Sequence, residues 1–138
     1  MLRKSRISGL AFIIIAASTA HTAFAETPNQ ILASIQVEAA KTAGFSGFVA
    51  ARGETFFKTK HGELSCASCH TENPAAEGKH AKTSKLIQPL APAANAERFT
   101  DPAKVEKWYK RNCTEVLARV CTAQEKGDVL SYLLTVKK

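Results

Sequence analysis

Cys66-Ala67-Ser68-Cys69-His70 is the segment that most restricts what this chain can become. Two thiols separated by two residues, with a histidine immediately after, form the C-x-x-C-H attachment signal for a c-type haem. The thiols are spaced to form thioethers with the two vinyl groups of one porphyrin, and the histidine is then delivered to the iron as an axial ligand. Two other chemistries use paired cysteines. A structural zinc site wants a second pair of Cys or His at ribbon or finger spacing, which the chain lacks. A thioredoxin-like dithiol sits in a βαβ context, and no such alternation is present. Cys66, Cys69 and His70 are therefore the expected attachment and metal-binding residues for one covalent haem c.

The first residues read as a targeting segment. Arg3, Lys4 and Arg6 make a basic start, Leu10 to Ala17 form a short apolar run, and Ala23-Phe24-Ala25 is a small-x-small cleavage site. The run is well short of the roughly 20 residues that a spanning helix needs, so no stable membrane span is expected after cleavage. Residues 1–25 are read as a signal peptide and residues 26–138 as one cytochrome domain. Export fits the haem motif, because thioether attachment occurs outside the cytoplasm in bacteria, and it points to the periplasm.

The chain carries 19 Lys+Arg against 12 Asp+Glu, a formal +7. Removing the three basic residues of the leader leaves 16 against 12, or +4, and two haem propionates lower it further. With no basic stripe interleaved with aromatics, nucleic acid is a poor candidate partner. Lys79, Lys82 and Lys85 do cluster after the haem motif. They form either a solvated loop or a docking patch for an acidic redox partner. The remaining cysteines, Cys113 and Cys121, are expected to form a disulfide in an oxidising compartment. It would close a loop of nine residues, for roughly 2.5 kcal/mol on the chain-entropy account.

The helix signals are local and clear. Thr27-Pro28 is a cap followed by Pro at the first helical position, Ile31, Leu32, Ile35 and Ala39 recur at helical spacing, and Gly44 ends the run. A second helix is expected from Phe48 to Phe57, and Asp101-Pro102 starts a third. Thr122-Ala123-Gln124-Glu125 is a capping box for a last helix with the apolar stripe Val129, Leu130, Leu133 and Leu134. Gly127 inside it weakens that helix by about 1 kcal/mol relative to Ala. Residues Asn73 to Ala94, Pro- and Ala-rich, read as a long loop wrapping the haem, and no strand pattern of useful length is present. The predicted fold is all-α, with the haem supplying much of the core.

What lies opposite His70 decides the function. A methionine is the usual choice in electron carriers, but the sole methionine is Met1, which goes with the leader. His61, five residues before Cys66, has little reach to the far face, and His80 sits in a polar loop and reads as solvated. Val105, Trp108, Tyr109, Asn112 and Val116 follow a single helical face. Asn112 is thus a polar amide on an inward stripe, where an unpartnered group costs about 1–3 kcal/mol. It is a helix C-cap, a satisfied core amide, or an iron ligand through its carbonyl oxygen. Those three alternatives stay open on pattern alone.

A longer set of residues resembles the sphaeroides haem protein (SHP) family of c-type cytochromes. It comprises Pro89-Leu90-Ala91-Pro92, Arg98-Phe99-Thr100-Asp101, Val105-Glu106-Lys107-Trp108, Arg111-Asn112-Cys113-Thr114 through Cys121, and Glu125-Lys126. The likeness runs from about Gly53 to Leu134. The resemblance implies a class I cytochrome c-like helical fold with a disulfide, and a high-spin iron with Asn112 as sixth ligand. It implies loss of that ligand on reduction, binding of O2 or NO, and a diheme cytochrome c as redox partner. The related cytochrome c″ type carries histidine at the position of Asn112.

Three functions follow as expectations. The first is a periplasmic electron carrier whose reduced iron also binds a small gas. The second is a haem enzyme with nitric oxide dioxygenase-like or oxygen-reducing activity, for which no second acid–base group is evident near Asn112. The third is a low-spin bis-histidine carrier using His80.

Overall fold

Thr27 opens the first helix as its sequence requires. In a computed structural model that describes residues 25–138, its hydroxyl accepts from the Gln30 amide at 3.3 Å, while Gln30 Oε1 accepts from the Thr27 amide at 2.7 Å. This capping box starts α1 (Pro28–Ala39), which buries Ile31, Ile35 and Ala39 on one face. The chain then turns, passing through a left-handed conformation at Gly44, before α2 (Ala50–Lys58). The proposed leader lies outside the described residues except for Ala25.

A single turn of helix, α3 (Ala67–His70), carries the haem motif. It leads into a loop holding two short antiparallel strands, β1 (Gly78–Lys79) and β2 (Leu86–Ile87), with Gly78 opposite Ile87. Two-residue strands leave no periodic trace in a sequence, so the loop reading of 73–94 missed this hairpin. Asp101 then caps α4 (Pro102–Leu117), accepting from the Lys104 amide at 3.0 Å. Ala118 ends it in the left-handed region. Thr122 and Glu125 form the second capping box, opening α5 (Ala123–Thr135).

The core is organised around α5, which packs on α2 and α1. One cluster joins Phe57, Ala67, Val129, Tyr132 and Leu133, with Cys66, Leu90 and Phe99 against it. A second joins Ile31, Ile35 and Leu130, flanked by Val105 and Tyr109 of α4. The α2–α5 crossing is close because both helices carry glycine there. A Cβ at Gly53 would run into the Asp128 carbonyl, and one at Gly127 into the ring of Phe48. The helix propensity given up at Gly127 is offset by this approach. Asp128, buried on α5, accepts from the Val49 amide at 2.8 Å and from Arg52 Nη2 at 2.8 Å, capping α2 from the neighbouring helix. Among the described residues no helix is long and apolar enough to cross a membrane.

Candidate haem site

The turn bearing the motif is shaped by serines. The Ser65 amide donates to Ser68 Oγ at 2.9 Å and the Ser68 amide to Ser65 Oγ at 3.1 Å, a reciprocal box around the start of α3. The Cys69 and His70 amides both donate to the Cys66 carbonyl, at 3.2 and 3.0 Å. Cys66, Cys69 and His70 therefore stand at i, i+3 and i+4, on one helical face. Thr71, with φ of 62°, breaks the helix immediately afterwards.

The hairpin lies flush on this turn. A Cβ at Gly78 would stand 3.1 Å from His70 Cα and clash with the Cys69 carbonyl, so only glycine fits. The Ala81 amide donates to Cys69 Sγ at 3.3 Å. Farther along, the Leu90 and Ala91 amides both donate to the Pro74 carbonyl at 2.9 Å, tying the Pro89–Ala91 segment to the chain just after His70.

Electrostatics suit the donors to a porphyrin. Burial, followed by the Arg98 charge, lowers the His70 pKa to about 4, so its imidazole is neutral and has a lone pair to give. Burial pushes the Cys66 thiol up to about 11, keeping it protonated. Cys66 and Cys69 are free thiols, whereas Cys113 and Cys121 are joined. Among the described residues no group of three or more His, Cys, Asp or Glu side chains is arranged to hold a bare metal ion. Two reduced thiols and a neutral imidazole on one face fit an iron porphyrin instead.

The α4 stripe expected to face inward as a unit is divided. Tyr109 and Cys113 turn toward the protein, and the Tyr109 hydroxyl donates to the Lys126 carbonyl at 2.9 Å. Burial, then the nearby Cys66, push the Tyr109 phenol above its ordinary value, so it remains a neutral donor. Trp108 is 45% exposed and Asn112 is exposed too. Asn112 lies five residues before the end of α4, so it is not a C-cap. No hydrogen bond to its side chain is found among the described residues, so it is not a satisfied core amide either.

His80 also differs from expectation. It is half-buried rather than solvated. Its Nδ1 accepts from the Lys82 and Thr83 amides at 3.2 and 3.3 Å, so the proton of the neutral ring sits on Nε2. Nε2 faces Glu115 Oε2 at 3.6 Å, and Lys82 Nζ reaches the other oxygen at 3.3 Å. His61 Nε2 lies 3.1 Å from the Phe56 carbonyl. Glu115 was not singled out from the sequence, because its partners His80 and Lys82 are distant along the chain.

Residues 43–133 match the family described as a domain of unknown function, DUF1924. Cytochrome c″ of Methylophilus methylotrophus is 49% identical over 83 residues, which span 59% of this chain and 58% of that protein. The cytochrome c-type protein SHP of Cereibacter sphaeroides is 39% identical over 129 residues, 88% of this chain and 95% of that protein. This chain belongs to the SHP and cytochrome c″ family. The crystal structure of oxidised cytochrome c″ superposes with a TM-score of 0.70 at 36% identity, over 80% of this chain and 95% of that one. The structure of oxidised SHP, an oxygen-binding cytochrome c, also gives 0.70, at 38% identity, over 79% and 96%. The SHP-type fold expected from the sequence, helical with a disulfide, is thus the fold of this c-type cytochrome.

Proposed function

We propose that this protein is a periplasmic electron-transfer cytochrome with one haem c, held by thioethers from Cys66 and Cys69 and by His70 and Asn112 as axial ligands. Asn112 lets go on reduction and admits O2 or NO. The haem supplies a one-electron couple and an axial position for a diatomic gas.

The setting of Asn112 carries this reading. Its amide is mid-helix, exposed and unpartnered among the described residues, which fits a donor kept for the iron. The next residue, Cys113, is clamped to Cys121, and Glu115 is engaged by His80 and Lys82. The helix around Asn112 is thereby held, and its release is a side-chain rotation. An amide oxygen is a hard donor that suits ferric iron better than ferrous. Once released, the same side chain offers an NH2 donor toward an incoming gas.

The relatives support both halves of the proposal. SHP is an oxygen-binding cytochrome c, and the solution structure of cytochrome c″ concerns haem-ligand detachment. Export rests on the leader reading of residues 1–25. The redox partner is a diheme cytochrome c, met by the exposed Lys79 and Lys85, whose charges complement an acidic surface.

Optical spectra of the oxidised, dithionite-reduced and carbon monoxide-treated protein test the proposal, alongside Asn112→Ala. The parent is expected to be high-spin, to bind carbon monoxide only when reduced, and to change its ferric spectrum when Asn112 is replaced. An unchanged ferric spectrum in Asn112→Ala removes Asn112 from the iron.

A further inference from the structure

Four non-glycine residues of the described chain have positive φ, namely Thr71, Ser84, Phe99 and Ala118, and of these only Thr71 is β-branched. Its backbone, with φ 62° and ψ 166°, lies in a region almost reserved for glycine. A branched side chain there crowds the flanking peptide groups. Such a conformation persists only where the surrounding structure over-determines it, and it gathers at sites that must hold a fixed geometry. Thr71 directly follows His70.

His70 is the last residue of α3, a four-residue turn too short to fix its own end. Upstream, the His70 amide is bonded to the Cys66 carbonyl, and Gly78 lies against the Cys69 carbonyl. Downstream, the Thr71 hydroxyl donates to the Asn73 carbonyl at 2.7 Å. That carbonyl also accepts from the Ala76 amide at 2.9 Å, and Asn73 Oδ1 accepts from the Ala75 amide at 3.1 Å. Pro74 comes next, fully buried, with its carbonyl taking the Leu90 and Ala91 amides. Only Thr71, Glu72 and Asn73 thus separate His70 from a buried anchor, and the hydroxyl closes that span. Glycine would adopt this backbone freely but has no hydroxyl to close it.

We infer that Thr71 is a positioning residue for His70, the bond from its hydroxyl to Asn73 locking a strained backbone that keeps the imidazole in one pose. The inference rests on His70 as the axial ligand proposed above and is independent of Asn112. A ring already held in its bound orientation loses little freedom when it takes the iron. The strain at position 71 is the cost of that order, and the anchored Asn73–Pro74 segment sustains it.

Proton NMR of the ferric holoprotein tests this, because the spread of the haem methyl resonances follows the orientation of the axial imidazole plane. Thr71→Ser keeps the hydroxyl and is expected to reproduce the parent pattern. Thr71→Val keeps the branch without the hydroxyl, so its backbone relaxes toward the extended region. Thr71→Gly fits the backbone without strain but leaves it unhooked. Both are expected to displace the methyl resonances, or to add a second set at about a tenth of the main intensity or more. A mere structural brace would move urea midpoints and leave the methyl pattern alone. If Thr71→Val yields no holoprotein, Thr71→Gly decides, since it carries no steric penalty. A parent-like pattern in Thr71→Val or Thr71→Gly, or a Thr71→Ser pattern displaced as far as that of Thr71→Gly, overturns the inference. Isotope-labelled histidine in the parent separates the premise from the inference. No hyperfine-shifted imidazole removes His70 from the iron and the inference with it, whereas a shifted imidazole beside parent-like variants overturns the role of Thr71 alone.

Discussion

Gly53 of α2 lies directly on the backbone of Asp128 in α5: a methyl group at position 53 would meet the Asp128 carbonyl and stand 2.8 Å from the Val129 amide nitrogen. Replacing a helical glycine by alanine ordinarily gains about 1 kcal/mol. Here backbone blocks backbone, and Gly53→Ala is expected to destabilise the protein by about 3 kcal/mol in urea unfolding. Gly127→Ala meets the outer atoms of the Phe48 ring, which can swing aside, and should cost clearly less.

Removing the Cys113–Cys121 link tests how firmly the helix bearing Asn112 is held. The double Cys113→Ser, Cys121→Ser protein should lose roughly 2.5 kcal/mol, since the bond restricts a loop of nine residues in the unfolded chain. Comparison of urea midpoints, at equal m-value, measures this. The same variant should show a broadened ferric spectrum if Asn112 wanders.

His80→Gln should leave the ferric spectrum unchanged. The ring spends Nδ1 on two backbone amides and turns its Nε2–H toward Glu115, so no lone pair is offered elsewhere. Conversion from low-spin to high-spin in this variant would instead mark His80 as the distal ligand.

Stability should fall on the acid side, in part through Glu125. Hydrogen bonds from Arg119 first, with help from the Thr122 amide, hold this carboxyl below its ordinary 4.5. The folded state then binds fewer protons than the unfolded one. Its contribution is complete above about pH 4.5 and disappears as the pH falls through the lower folded value. Glu125→Gln should flatten that limb in thermal melts taken from pH 3 to 7.

Much of the fold was legible because its helix starts are written locally. Thr27, Asp101 and Thr122 each cap the helix that the sequence assigned them. Boundaries in the second helix moved from Phe48 to Ala50, where Val49 is held by Asp128 from across the fold. The Val105–Val116 stripe looked continuous because periodicity reports spacing and not which neighbour exists. The cost of Gly127 was visible, but its counterpart Gly53 was not, since the crossing joins residues some 74 positions apart. The His80–Glu115 contact was hidden for the same reason, since only folding brings those two residues near.

The depth of Cys66 bears on how such a chain matures. In the exported protein proposed above, four thiols would meet an oxidising milieu together, and mispairing would consume the two proposed to bind the porphyrin. Exchange proceeds through the thiolate, and a thiol held near 11 is ionised only to roughly one part in ten thousand at neutral pH. In the folded chain Cys113 and Cys121 are joined and Cys66 is a free, poorly ionised thiol, a division that keeps it apart from exchange with the disulfide.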